Sequence, residues 1–160
     1  YGGNIRVFMS NNSNKSNFNI NKILKKEKNF YQKFLSLQNK INTWKKNKNY
    51  MIDNLIKKNY SIYGKAFPGR ASILINLLKI DKDKIKCIFE QKKSPKNFHY
   101  VPGTKIKILP DSNMKKMLKK NSIIINFSWH ISGEIKKYLR NLNIKNKVIN
   151  VIENKDFIKK

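Results

Sequence analysis

The stretch Tyr60-Ser-Ile-Tyr-Gly-Lys-Ala-Phe-Pro-Gly-Arg-Ala-Ser-Ile-Leu-Ile-Asn-Leu-Leu78 decides how the rest of the chain is read. An apolar, β-prone segment ends at Gly64, a short turn carries Lys65, Pro68, Gly69 and Arg70, and an apolar helical run begins at Ala71. Strand, turn and helix in that order form the unit from which α/β sheets are built, and such sheets receive ligands at the turn. Glycine at 64 and at 69 lets the backbone bend or approach a ligand closely, and the N–H groups that open a helix favour an anion. Lys65 and Arg70 add two cationic side chains at that spot.

Downstream, the same alternation continues. Residues 85–90 form a largely apolar strand through Cys87, Ile88 and Phe89, and a charged loop then leads to His99-Tyr-Val-Pro-Gly-Thr104, whose Pro-Gly pair is a turn signal. A short strand follows at 106–109, then a helix at 111–120 capped by Asp111 or Ser112. The run Ile123-Ile-Ile125 marks a strand at 122–127 of the kind found at the centre of a parallel sheet. Ser128-Trp-His-Ile-Ser132 opens a helix reaching Asn141, and 148–152 is the last strand. The expectation is an α/β fold: a Rossmann-like parallel sheet with helices on both faces. Ligands then sit beyond the carboxyl ends of the strands, which selects the loops 64–70, 90–104 and 128–132.

Upstream, Ile5 to Met9 reads as a short strand and the asparagine-rich stretch after it as a surface loop. From Ile20 the spacing is helical: Ile20, Ile23, Leu24, Tyr31, Phe34, Leu35, Ile41 and Trp44 recur largely at threes and fours, and the pattern resumes at Met51, Ile52, Leu55 and Ile56. This predicts one long connecting helix, or two joined near Asn47, with the aromatic stripe in the core. The domain reading is residues 1–18 as the tail of a preceding domain and its loop, 19–59 as the connecting helix or helix pair, and 60–160 as the Rossmann-like domain.

The 160 residues suffice for one domain with a sizeable core. No apolar run is long enough to span a membrane and the start has no leader pattern, so the expected location is cytoplasmic. Cys87 is the only cysteine, which rules out an internal disulfide and argues against a cysteine zinc site; it reads as a buried small hydrophobe. A net charge of +27, from 36 basic and 9 acidic residues, ordinarily points to nucleic acid or an anionic surface. Three features weaken that reading. Only three of the basic residues are arginine, the chain has 24 asparagines against two alanines, and the lysines are scattered over the whole length. Compositional drift accounts for this better than a binding stripe, although loose association with polyanions at low salt follows from the charge. Residue 1 is Tyr rather than Met, from which processing or a longer parent chain is expected.

Four motifs then carry a resemblance. Tyr1-Gly-Gly-Asn-Ile-Arg6-Val-Phe resembles the His-Gly-Gly-Ser-x-Arg-x-Tyr motif that ends the cofactor domain of S-adenosylmethionine-dependent sugar C-methyltransferases. Tyr63-Gly-Lys-Ala-Phe-Pro-Gly-Arg70 resembles the Tyr-Gly-Ala-x-x-(Lys/Arg)-Gly turn of their C-terminal domain, and Leu74-Ile-Asn76 the Leu-Leu-Asn of the helix that follows. Tyr100-Val-Pro-Gly-Thr104-Lys-Ile106 is similar to their Tyr-x-Pro-Gly-Thr-x-Ile loop, and Trp129-His-Ile-Ser-Gly-Glu134-Ile135 to their Trp-x-x-x-x-Glu-Ile segment. The four occur in the family's order and cover almost the whole chain.

The resemblance implies the acceptor-binding C-terminal part of such an enzyme. The methyl donor, S-adenosylmethionine, sits in an N-terminal domain supplied in cis or in trans, and the acceptor is a nucleotide-linked keto sugar held between the two. The donor loop and the family's catalytic Glu-His segment have no counterpart here, so catalytic residues are unassigned and the chain is expected to be inactive alone. The acceptor-binding candidates are Arg6, Tyr63, Lys65, Arg70, Tyr100, Thr104, Trp129 and His130. Six also have a plain structural reading: a salt bridge for Arg6, solvated charge for Lys65 and Arg70, core for Tyr63, and turn architecture for Tyr100 and Thr104; Trp129 and His130 read as rings able to stack on or hydrogen-bond a sugar or base. His99 reads as an exposed loop residue, and Glu134 suits the first turn of its helix. Departures from the family pattern are Tyr1 for its His, Lys65 for its Ala, and a longer turn in which Arg70 takes the basic position and Ala71 replaces a glycine. They imply a different sugar or a related keto compound. The other reading, from a different class, is a basic α/β module that contacts nucleic acid.

Overall fold

The computed structural model describes residues 18–157. The expected strand at 5–9 and Arg6 lie outside them. The chain divides into two compact units, Tyr1–Ile41 and Asn42–Lys160, with the boundary inside a helix.

In the first unit, α1 (Phe18–Glu27) is followed by the opening of α2 (Phe30–Lys57). The break falls at Lys28-Asn29, where Asn29 takes φ 70°, a left-handed helix end that asparagine tolerates. The helix runs unbroken through Asn47, where the sequence suggested a join. The aromatic stripe is also not uniformly core. Ile20, Leu24, Phe30, Tyr31, Phe34 and Leu37 are exposed, whereas Trp44 and Ile52 are buried. Helical spacing identifies a face, but only packing decides how much of that face is covered.

The second unit is built on five strands: β1 (Ser61–Lys65), β2 (Cys87–Glu90), β3 (Lys107–Pro110), β4 (Ser122–Asn126) and β5 (Lys147–Asn150). All pair in parallel in the order β3-β2-β1-β4-β5. The sequence places every one of these strands to within a few residues. Three helices accompany them: α3 (Ala71–Leu77), α4 (Met114–Met117) and α5 (Ser132–Asn141). The β1-α3-β2 and β4-α5-β5 connections move in opposite directions across the sheet, so right-handed crossovers put α3 and α5 on opposite faces. On the α5 face, Tyr63, Cys87, Phe89 and Ile124 form one cluster with Met114 of α4 and Leu139 of α5. Burial there pushes the Cys87 thiol up to about 12, consistent with an inert small hydrophobe. The second half of α2 is fastened at two places: Trp44 Nε1 donates to the Val151 carbonyl at 3.0 Å, and Lys48 pairs with Asp156 at 3.0 Å.

Two sequence motifs meet far from the strand carboxyl ends. Asn76, at the end of α3, donates through Nδ2 to the Ser72 carbonyl (2.8 Å) and to the Pro102 carbonyl (3.0 Å). Gly103 takes φ +77°, and a Cβ there would come within 2.7 Å of Asn76 Oδ1. Thr104 Oγ1 accepts from Ile106 N–H and donates to the Val101 carbonyl, and Asp81 accepts from Lys105 N–H. Those backbone donors hold the Asp81 carboxyl below the usual carboxylate range. This loop precedes β3, so it lies at the amino-terminal edge of the sheet; of residues 90–104 only the first half stays near the carboxyl end. The predicted helix at 111–120 is likewise a single 3₁₀ turn, Asp111–Asn113, and one turn of α4, with no side-chain cap. Asp111 points into the protein instead, for the reason given below.

Gly64 illustrates how closely the centre of the sheet is packed. A Cβ there would sit 2.7 Å from Ile88 Cγ1 and 2.9 Å from Phe127 Cε2. In a strand alanine is ordinarily favoured over glycine by about 0.5–1 kcal/mol, but overpacking costs about 1–3 kcal/mol. Gly64→Ala is therefore expected to lower stability, seen as a lower urea midpoint; an unchanged or raised midpoint would show that Ile88 and Phe127 yield freely.

Candidate functional site

The strand order reverses between β1 and β4, and a doubly wound sheet opens a crevice at the carboxyl ends of such strands. A cleft of about 690 Å³ lies here, lined by Lys65, Phe67, Glu90, Lys93, Lys96, Ser128, Ile131, Glu134, Ile135 and Tyr138 among others. In-register residues at the ends of neighbouring strands form a polar row, of which Lys65 lines the cleft. Lys65 stands beside Asn126, and Asn126 beside Asn150. Asn126 is fully buried and donates to Asn150 Oδ1 at 2.9 Å, while its own Oδ1 accepts from Ser128 N–H at 2.9 Å. Ser132 Oγ reaches the same Asn150 oxygen at 2.9 Å. This row pins the entry to α5 against the sheet.

Lys65 is the unusual member. It is the last residue of β1, not part of the turn, and only 2% of it is exposed. Its Nζ stands 3.5 Å from Asp111 Oδ2 and 5.0 Å from the centre of the Tyr138 ring. The same Asp111 oxygen accepts a short hydrogen bond from the Tyr138 hydroxyl. A buried ammonium needs a counter-ion, and this explains why Asp111 turns inward instead of capping a helix. Burial lowers the Lys65 pKa, against the opposing pull of Asp111 and Glu90. Burial also raises Tyr138, with the bond to Asp111 and the charges of Asp111 and Glu90 adding to it, up to about 12.

The turn after β1 is held by backbone contacts. Ala66 takes φ 63°, which for a residue with a Cβ stores strain of about 1–2 kcal/mol. That geometry aims the Phe67 N–H at Glu90 Oε2, 2.6 Å away, while Glu90 Oε1 accepts from Gln91 N–H at 2.9 Å. Lys96 Nζ donates to the Phe67 carbonyl at 2.7 Å. In dinucleotide-binding sheets the acidic residue at this strand end holds a ribose. Here both Glu90 oxygens are engaged by the backbone and bulky Phe67 follows the strand, so these residues do not fit a nucleoside cofactor.

The sequence-derived candidates are distributed unevenly. Lys65 lines the cleft, and Trp129 and His130 follow directly on Ser128, their rings edge-to-face at 5.6 Å. Arg70 is exposed at the start of α3 and, unlike Lys65, does not line the cleft, and a Cβ added at Gly69 beside it would meet nothing within 4 Å. Tyr63 is in the core, stacked on Phe89 at 5.6 Å with its hydroxyl on the Met117 carbonyl, and burial raises its pKa. Tyr100 and Thr104 belong to the loop at the opposite edge. Asp111, Tyr138, Glu90 and Lys96 escaped the sequence reading; the one available signal was an acidic residue ending an apolar strand at Glu90. A second hollow of about 500 Å³, lined by Leu139, Ile144 and Val148 with Lys136, Arg140 and Lys145, lies between the end of α5 and the start of β5, away from these loops.

The raised Tyr138 has a consequence for stability. Its hydroxyl ionises at about 12 in the fold against 10.0 ordinarily, so its contribution is complete below pH 10 and is lost as the pH rises through 12. Lys65 has the opposite sign, adding stability as the pH rises from its lowered value toward 10.5. Comparing urea midpoints of the wild type and Tyr138→Phe across pH 9 to 12 should show the gap between them narrowing. A constant gap would mean that Tyr138 ionises as an ordinary phenol.

Among the described residues no helix is long and apolar enough to cross a membrane. No curated protein matches the sequence. A family model described as the C-methyltransferase C-terminal domain matches residues 1–152, nearly the whole chain, in agreement with the motifs at 1–6, 63–70, 100–106 and 129–135. The chain belongs to the C-methyltransferase C-terminal domain family.

Proposed function

We propose that this chain is the acceptor-binding part of an S-adenosylmethionine-dependent C-methyltransferase acting on a nucleotide-linked keto sugar. The observation that carries the reading is a roomy cleft at the carboxyl ends of the central strands in a chain of this family. S-adenosylmethionine supplies the methyl group in the complete enzyme and is held by an N-terminal domain, in cis or in trans. In support, the strand-end carboxylate of Glu90 is committed to the turn and is not free to hold the ribose of a cofactor. Residues 1–18 then represent the tail of the donor domain, 19–59 the connecting helices, and 60–160 the acceptor domain.

Methylating carbon beside a keto group requires removal of a proton and stabilisation of the resulting enolate, with both reactants held in line. The contribution of this chain is the holding. A diphosphate is a handle remote from the reacting carbon, and basic side chains outside the cleft floor, exposed Arg70 among them, are its partners. Lys65 donates hydrogen bonds from the floor, and Trp129 and His130 supply rings beside it. The motif that Arg6 shares with the family assigns it an acceptor contact as well, outside the described residues.

The test is calorimetric titration with UDP-glucose at about 0.15 M salt, where long-range attraction to the lysine-rich surface is screened. Saturable one-to-one binding is expected, together with no methyl transfer by the chain alone; absence of binding would sink this reading for the isolated chain.

A further inference from the structure

We infer that the cleft floor is charge-balanced so as to receive the uncharged, hydroxyl- and carbonyl-bearing ring of the acceptor and to keep a diphosphate out. The inference rests on the acceptor-binding reading and says which portion of the ligand enters.

The observation is a local reversal of composition. The chain has 36 basic and 9 acidic residues, so a patch with three lysines should carry fewer than one carboxylate. Lys65, Lys93 and Lys96 share the cleft lining with Glu90 and Glu134, and Asp111 pairs with Lys65. The formal charges cancel at this opening beyond the strand ends. The attraction of Lys65 is already directed to Asp111, and a diphosphate entering here would bring its negative charges among three carboxylates.

What remains unspent is hydrogen-bonding capacity. An ammonium has three N–H donors, and Asp111 engages Lys65 only at 3.5 Å, the outer limit of a hydrogen bond. Across the cleft Glu134, exposed in the first turn of α5, offers an acceptor-only carboxylate. A donor on the floor, an acceptor on the wall, and apolar Ile131 and Ile135 between them complement a ring with a carbonyl, hydroxyls and C–H faces.

The test follows backbone amides of the ¹⁵N-labelled chain on titration with glucose, pyrophosphate and UDP-glucose, at about 0.01 M and about 0.15 M salt, where the Debye length falls from about 30 Å to about 8 Å. Glucose and UDP-glucose are expected to shift Ser128, Glu134 and Tyr138 saturably, the glucose affinity changing by less than about twofold with salt because no net charge is involved. Pyrophosphate should leave those amides in place. Glu134→Lys, a substitution at an exposed helix position, should admit pyrophosphate with a gain in affinity of about tenfold or more, the scale of one new ion pair in a partly shielded site. Saturable pyrophosphate shifts at the floor of the wild type, no shift there with any probe, or no gain in Glu134→Lys would each overturn the inference. UDP-glucose binding that leaves these amides still would overturn it while sparing the acceptor reading. Glucose in the cleft without UDP-glucose binding would do the reverse.

Discussion

The buried ammonium of Lys65 ties the central strand to the turn after β3 and to α5. Lys65 sits on the central strand with only 2% of its surface exposed, and a charge in that position is tolerated only with a partner. Its partner comes from the turn after β3 and the ring beneath it from α5. Asp111 therefore links β1, the crossover from β3 and α5 in one contact, with the Tyr138 hydroxyl closing the group. Replacing Lys65 or Asp111 alone leaves the other's charge buried without its ionic partner.

Lys65 and Tyr138 of this group also line the cleft, so the residues that hold the packing also shape the opening. The neighbouring row of Asn126 and Asn150 does for the β4 and β5 ends what Lys65 and Asp111 do for β1. Buried polar atoms at strand ends hold loops in fixed positions, and Ser128 and Ser132 at the mouth of α5 take theirs from this row. Strain at Ala66 and commitment of Glu90 to the turn point the same way: the backbone at this edge is closely specified.

Several motif residues turn out to be placed by architecture. Asn76 joins the helix motif to the Pro-Gly loop through the Pro102 carbonyl, and Gly103 leaves room for that side chain. Gly64 is spaced by Ile88 and Phe127 in the core, while Gly69, quoted from the sequence for the same flexibility, meets nothing within 4 Å. The structure thus separates glycines that a strand packing requires from one that it does not. None of this separation could be read from the letters, because it depends on which side chain lies across the sheet.

The sequence by itself determined the parallel α/β fold, the positions of five strands and the family, because apolar periodicity and turn chemistry are local and survive without knowledge of neighbours. Tertiary structure alone decided three things. It decided that Lys65 points inward, that Asp111 abandons a helix cap 46 residues away to meet it, and that Tyr138 closes on Asp111 across a further 27. It also moved Tyr100 and Thr104 to the edge opposite the cleft, because the β2–β3 connection must travel back along the sheet for the strands to pair in parallel. Pairings over such separations are fixed by crossover geometry and by the cost of a buried charge, and neither leaves a trace in the spacing of residues along the chain.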